Sequence, residues 1–600
     1  MRRLLLVMTM LAASPAAAQD FRQRPPEDEM IYFVLPDRFE NGDTANDRGG
    51  LKGDRLATGF DPTDKGFYHG GDLKGLTRRL DYLQGLGATA IWVGPIFKNK
   101  PVQGPEGQES AGYHGYWITD FTQVDPHLGS NADFKALVDA AHARGMKVYM
   151  DIIANHTADV IQYRGCPVQA CDYRSIADYP FQRRGGVSGA PINQGFAGDT
   201  VRTAENFARL TDPSFAYQPY VPEPEKSVKV PAWLNDPVLY HNRGNFALEA
   251  ESARYGDFSG LDDLATENPR VVSGMIDIFG DWIDRYGVDG FRIDTAKHVN
   301  PEFWQAFVPA MLARAKARGI PNFHIFGEVY SETLDPGYLA QFTHRDGYPA
   351  VLDFAFQVAA RDIVTGKTGT DAFLKLTEGD ILYKGGTGAA RQLPIFLGNH
   401  DMGRIGHMLD RALPAMTDGE RLARASLADV LMMTARGVPT IYSGDEQGFT
   451  GDGGDQAARE DMFPSKVASY NDNRLIGTSA TTAAGNFDTA HPLYRLIADL
   501  TALRAKLPAL RRGDTIVRAA GDKPGLLAFS RVEPGKPEVL VLINSAATPV
   551  TQNVKVDVAS TSWSSGWMRT GCPIEMVAPG SARVTLPPFG YAICDSTPLD

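Results

Sequence analysis

Apolar residues between positions 73 and 160 follow two alternating periods. Leu76, Leu80, Leu83 and Leu86 recur at helical spacing, and Gly87 follows as a stop. The next run, Ala88-Thr89-Ala90-Ile91-Trp92-Val93, is short and unbroken, as expected of a strand buried on both faces. Residues 131–144 read as a second helix ended by Gly145, and 147–153 as the next strand. The alternation resumes after residue 262. Val272, Met275, Phe279, Trp282, Ile283 and Tyr286 form an apolar stripe, Gly287 stops it, and 290–294 reads as a strand. Further strands are expected at 323–329, 351–356, 393–397 and 438–443, with helices at 301–318, 422–435 and 491–506. With residues 30–34 at the start, this makes eight strands, each followed by a helix or a long crossover. Such units form parallel sheet, and eight close most simply as a (β/α)8 TIM barrel.

Two segments leave that rhythm. Residues 157–261 are rich in Gly, Pro, Tyr and Asn and carry no helical period; they read as a domain inserted after the third strand. Residues 512–600 carry short β-like runs such as Val539-Leu540-Val541-Leu542-Ile543, the pattern of a C-terminal antiparallel β-sandwich. The barrel then occupies 19–156 and 262–511. Residues 1–18 are expected to be a signal peptide: Arg2 and Arg3, an apolar run, then Ala16-Ala17-Ala18. That run is too short to span a bilayer, so no membrane association is expected. Secretion makes the four cysteines interpretable, and proximity pairs Cys166 with Cys171 and Cys572 with Cys594. Sixty basic against 72 acidic side chains give −12, a poor balance for a nucleic-acid binder. A monomer is expected.

Barrels of this kind carry their chemistry at the C-terminal ends of the strands. There the sequence places Asp151, Asn155 and His156, then Arg292, Asp294, Lys297 and His298, then Glu328, then Asn399, His400 and Asp401. One strand-end Asp is ordinarily a helix cap. Four strands delivering carboxylates and imidazoles to one rim are not explained that way.

These segments resemble the α-amylase family of glycoside hydrolases. The matching stretches are Gly112-Tyr113-His114-Gly115-Tyr116-Trp117, Asp151-Ile152-Ile153-Ala154-Asn155-His156, Gly290-Phe291-Arg292-Ile293-Asp294, Phe326-Gly327-Glu328-Val329, Gly398-Asn399-His400-Asp401 and residues 437–446, in the family's order. The closest likeness is to bacterial secreted α-amylases and cyclodextrin glucanotransferases. The resemblance implies a retaining mechanism with Asp294 as nucleophile, Glu328 as acid and base, and Asp401 gripping sugar hydroxyls. The two catalytic carboxyls should then lie about 5–5.5 Å apart. Arg292, two residues before Asp294 on one strand, points the same way and should keep Asp294 ionised. His156 and His400 would donate to hydroxyls, and Tyr116 would stack on the sugar with His114 beside it. Lys297 and His298 resemble a leaving-group-side pair. Arg404 either contacts the sugar held by Asp401 or forms a structural ion pair. Thr295 is linked by the resemblance to α-1,4 preference.

The resemblance also implies structural Ca²⁺. Asn41, Asp43, Asn46 and Asp47 crowd one short loop, and Gly70 and Asp72 would complete a first site. A second would use Asn155, Asp263 and the His298 carbonyl. The expected substrate is an α-1,4-glucan such as starch or maltodextrin. Cyclodextrin glucanotransferase is the alternative, although Ser259 stands where cyclizing members carry an aromatic; Phe258 is adjacent. A non-catalytic sugar-binding relative is the reading from another class. Tyr217, Tyr220, Trp233 and Tyr240 are either sugar platforms or packing.

Overall fold

A computed structural model describes residues 20–166, 171–247, 251–565 and 571–597. The expected signal peptide, residues 1–18, lies outside the described residues. The barrel strands are β1 (Ile31–Val34), β2 (Ala90–Val93), β3 (Lys147–Ile152), β4 (Gly290–Ile293), β5 (His324–Gly327), β6 (Ala350–Val351), β7 (Pro394–Phe396) and β8 (Val438–Tyr442). Every pair along the order β6-β5-β4-β3-β2-β1-β8-β7 is parallel. The Asp353 N–H donates to the Pro394 carbonyl at 2.9 Å, which carries contact across the remaining gap between β6 and β7. Every residue of β2, β3 and β4 is buried, because helices cover the outside and side chains fill the inside. Register matters for the chemistry: Arg292 on β4 lies beside Asp151 on β3.

Two local expectations need correction. The helix read through Leu76 and Leu86 is two helices, Leu73–Arg78 and Leu80–Leu86. The break falls at Arg79, whose side chain is drawn aside to Glu40 at 2.6 Å and to the Phe487 ring at 3.9 Å. The strand expected at 351–356 stops at Val351, and Phe354–Val364 is helix. Asp353 caps that helix by accepting the Phe356 N–H at 2.9 Å. A short apolar run fits either period, and here the cap decides.

Between β3 and β4 the chain leaves through a two-stranded neck. His156–Thr157 pairs antiparallel with Asp262–Asp263, His156 opposite Asp263. The segment between them has its own small core of Phe181, Phe196, Phe207, Leu210, Phe215 and Tyr217, stapled by the Cys166–Cys171 disulfide. At the C-terminus, strands β9 (Asp514–Ala519), β10 (Leu526–Val532), β11 (Val539–Asn544), β12 (Val550–Lys555), β13 (Ser562–Ser564), β14 (Ile574–Ala578), β15 (Ser581–Leu586) and β16 (Tyr591–Thr597) form two sheets. Their orders are β9-β10-β11-β16-β13 and β12-β15-β14. Alternation splits β10 and β11 between two cores. Leu527, Phe529, Val539, Val541 and Ile543 join the barrel's core, whereas Leu526, Ala528, Leu540 and Leu542 face the second sheet. A Cys572–Cys594 disulfide ties this sandwich. Among the described residues no helix is long and apolar enough to cross a membrane.

Candidate active site

A cavity of about 570 Å³ opens at the C-terminal ends of the barrel strands. His114, Tyr116, His156, Asp294, Lys297, His298, Glu328 and Asp401 line it, so eight of the expected site residues share one wall. The inserted segment adds Phe246, Phe258, Ser259 and Leu261, and the loop after β8 adds Asp455, Gln456 and Arg459.

Arg292 is the hub behind this wall, with no exposed surface. Its Nη1 donates to Asp151 Oδ1 at 2.8 Å and to Asp294 Oδ1 at 2.9 Å. Its Nη2 lies 2.8 Å from Glu328 Oε1 but lacks hydrogen-bonding geometry there. Three buried carboxyls therefore share one cation. Burial pushes Asp294 up to about 7 against the pull of Arg292, with Asp151 and Asp401 adding to the rise. Burial likewise raises Glu328 to about 7, and Asp151 to about 6. The expectation that Arg292 alone keeps Asp294 ionised is thus too simple. Asp294 adds to the rise of Glu328, and both groups titrate near neutrality. Hydrogen-bond geometry places the charge: Asp294 accepts from the guanidinium, whereas Glu328 accepts the neutral Thr295 N–H at 3.1 Å, a bond its protonated form also takes.

Asp401 stands apart, its side chain 39% exposed against 9% for Asp294 and Glu328. Tyr116 stacks against His400 at 5.6 Å and 15°, and its hydroxyl meets His400 Nε2 at 2.7 Å and Asp151 Oδ2 at 3.2 Å. Burial lowers His400 to about 3, and His156 and His298 to about 4, so all three are neutral hydrogen-bonding groups. His400 is fully buried and backs the wall instead of forming it. Lys297 lines the cavity with Nζ 3.2 Å from the Tyr330 carbonyl, and burial lowers its pKa.

Arg404 is not a cavity residue. It is fully buried, with Nε 2.7 Å from Glu460 and Nη1 2.7 Å from Asp445, so it forms the structural ion pair. Tyr217, Tyr220, Trp233 and Tyr240 lie outside the wall; Tyr217 stacks on Tyr163 at 4.9 Å, and Tyr240 packs over Lys229 at 4.1 Å. Asp151 carries no expected role, and Arg459, Tyr330 and Phe246 are not among the expected site residues. Asp151 was traceable through its strand-end position beside Arg292. The other three sit in loops without period.

The loop expected to hold a first calcium is partly built for one. Asp72 Oδ2 accepts the Gly42 and Asp43 N–H groups at 3.1 and 2.7 Å and Asn46 Nδ2 at 3.3 Å. Asn41 Nδ2 donates to Asp47 Oδ1 at 2.8 Å. A Cβ at Gly70, which holds a φ of +99°, would stand 2.8 Å from Asp47 Oδ1, so only glycine allows this approach. The side-chain oxygens of Asn41 and Asn46 are buried without partners, the donor type a hard cation takes. Asp43 departs from the expectation, its carboxylate turning out to Lys74 at 2.6 Å. Among the described residues no three His, Cys, Asp or Glu side chains form a metal-ligating group, so a cation here would need the Asn41 and Asn46 amide oxygens beside the Asp47 and Asp72 carboxylates.

The expected second site does not fit. Asp263 Oδ2 lies 2.5 Å from His241 Nδ1, and His241 Nε2 lies 2.9 Å from Glu267. Burial lowers His241, but Glu267 and Asp263 outweigh it and push it up to about 10. An imidazolium is therefore already the counter-ion of Asp263. Asn155 Nδ2 meets His156 Nδ1 at 3.3 Å.

Comparison with known proteins agrees with this fold. The family model of the α-amylase catalytic domain matches residues 33–513. An α-amylase of Streptomyces lividans is 44% identical over 97% of this chain, and the chain spans 64% of that relative's length. The α-amylase of Geobacillus thermoleovorans, solved with acarbose, superposes with a TM-score of 0.67 at 26% identity, covering 96% of this chain and all of that one. A cyclomaltodextrin glucanotransferase with a three-domain ABC distribution gives 0.69 at 27%, covering 95% and 99%. A parallel barrel whose rim holds Asp294 and Glu328 on Arg292 with Asp401 on the same cavity wall, matched by that family model over most of its length, places this chain in the α-amylase family of glycoside hydrolases.

Proposed function

We propose that the protein is a secreted, retaining hydrolase of α-1,4-glucosidic bonds in starch or maltodextrins. One observation carries the reading: the two terminal nitrogens of a single guanidinium hold the Asp294 and Glu328 carboxyls on the wall of a sugar-sized cleft. Carboxyls gathered on adjacent nitrogens suit the short spacing of a retaining pair, with no water between them. Asp294 attacks the anomeric carbon while Glu328 gives its proton to the departing glycosidic oxygen. Glu328, now a carboxylate, then takes a proton from water; that water attacks the anomeric carbon and releases Asp294. Asp401 grips ring hydroxyls, and Tyr116 offers its face to the sugar.

One observation favours a second reading, transglycosylation of the cyclodextrin glucanotransferase kind. Phe246 and Phe258 lie stacked 6.0 Å apart on the cavity wall beside His298, an apolar surface suited to a sugar acceptor in place of water. Product analysis decides. Incubation with soluble starch should yield linear maltooligosaccharides that keep the α-anomeric configuration when first released. Cyclic products would favour the second reading, and β-anomers would end the retaining one.

In the same reading Asn41, Asn46, Asp47, Asp72 and the Gly70 segment hold a structural Ca²⁺, which would cross-link two loops beside β1. A chelator should then lower the melting temperature by several degrees, with recovery on adding calcium; ~1 kcal/mol is worth only a few degrees at this size. Unchanged melting would reject the site. The two disulfides accord with an oxidising extracellular or periplasmic location.

A further inference from the structure

Arg292 contacts two of the four carboxyls that face the cavity, Asp294 and Glu328; the other two, Asp401 and Asp455, share a second cation. Arg459 Nη2 lies 3.0 Å from Asp401 Oδ1, and Arg459 Nε donates to the His400 carbonyl at 3.0 Å. One guanidinium thus grips the Asp401 side chain and the backbone just before it. Arg459 is itself tightly held. Its Nη1 donates to the Tyr113 hydroxyl at 3.2 Å, its Nη2 lies 2.6 Å from Asp455, and its carbonyl accepts from Arg38 at 3.2 Å. Arg38 stacks on the same Tyr113 ring at 3.8 Å. The backbone adds a second tie: Asp455 holds a left-handed φ of 53° and donates its N–H to the Asp401 carbonyl at 2.9 Å.

Electrostatics explains why such a clamp is needed. The proposed reaction needs one proton on Glu328. An unpaired Asp401 would compete for that proton, because carboxylates this close resist ionising together. The groups that bear on Asp401 are His400, Arg459 and Arg292 on one side and Asp294, Glu328, Tyr116 and Tyr330 on the other, with His114 behind and Asp455 drawing on the same Arg459. Partial burial pushes Asp401 up, and His400 (only while protonated), Arg459 and Arg292 outweigh it, leaving it below the ordinary carboxylate range. His400 is neutral near pH 7 and supplies no charge, and Arg292 is shared with three other carboxyls. That leaves Arg459 as the main cation for Asp401.

We propose that Arg459 is a positioning residue: it aims Asp401 at the sugar hydroxyls and keeps it ionised while Glu328 holds the proton. This rests on the retaining reading above. The test compares Arg459→Met and Arg459→Lys with the wild type. Arg459→Met should lower kcat/KM on maltodextrin by ~100-fold, mostly through kcat, since a misaimed transition-state contact costs about that much. Its acid limb, set by the Asp294–Glu328 pair, should move to higher pH by about one unit, because an Asp401 without its cation raises that pair further. Arg459→Lys keeps the charge and loses the fork; it should restore the acid limb but not the full rate. An unmoved acid limb with the loss confined to KM would overturn the proposal and make Arg459 a sugar ligand. One readout needs no activity. A 13C NMR titration of Asp401, identified by its absence in Asp401→Asn, should show a higher pKa in Arg459→Met. An unchanged pKa overturns the pairing even if the glucan reading has failed, and a raised one supports it.

Discussion

Replacing Asp294 with Asn should lower kcat on soluble starch by ~10⁴-fold or more, since the variant cannot form the glycosyl ester and loss of a nucleophile removes most of the rate enhancement. The release of reducing sugar measures this. Glu328→Gln should separate the two halves of the reaction. With maltosyl fluoride, whose leaving group needs no protonation, the ester on Asp294 should form and then stall, visible as a mass increase on the intact protein. A turnover number for Asp294→Asn within tenfold of wild type would reject the assignment. Wild-type activity should be bell-shaped around neutral pH. Asp294 and Glu328 are both raised to about 7, and the working form carries one proton between them. Rate should fall at low pH when the pair takes its second proton and at high pH when it loses its last.

The second large effect concerns Arg292. Replacement by Met would strand Asp151, Asp294 and Glu328 in a buried site without their cation. Removing one partner of a buried ion network costs about 3–5 kcal/mol. The loss should depend on pH in a definite direction. The three carboxyls already have folded-state pKa values above the ordinary range, and loss of Arg292 would raise them further. A group raised on folding stabilises the fold below its unfolded pKa, and that stability is lost as pH climbs through the folded value. Arg292→Met should therefore melt near the wild type around pH 5 and far below it at pH 8. Arg292→Lys should recover part of the stability and little of the rate, because a single ammonium cannot serve all three carboxyls. Equal melting penalties at the two pH values would contradict the shared-cation description.

Much of the fold was legible because its signals are local. A helix face ended by glycine and a run of apolar residues buried on both sides each need only a dozen positions to be read, and they located seven of the eight barrel strands and the edge of the remaining one. The errors came where local signals tie. Residues 351–356 fit a buried strand, yet Asp353 begins a helix inside that window. The site showed the same division. Asp294, Glu328 and Asp401 announced themselves as strand-end carboxylates. Arg404 was open between sugar and ion pair, because its partners Asp445 and Glu460 lie 41 and 56 residues away. Arg459 was invisible for the same reason, 58 residues from the carboxylate it holds.

What the sequence by itself determined is the kind of chemistry and its framework: a parallel barrel, an inserted segment, a terminal sandwich, and three carboxylates at strand ends. The framework follows from periodicity and residue type, which act over short stretches of chain; the kind of chemistry follows from the family resemblance those segments carry. Only the tertiary structure decided which cation serves which carboxyl. It gave Arg292 to Asp151, Asp294 and Glu328, Arg459 to Asp401, Arg404 to Asp445 and Glu460, and His241 to Asp263 and Glu267. The reason is physical. Charge interactions strengthen when buried and depend on distance in space, and distance along the chain does not report distance in space.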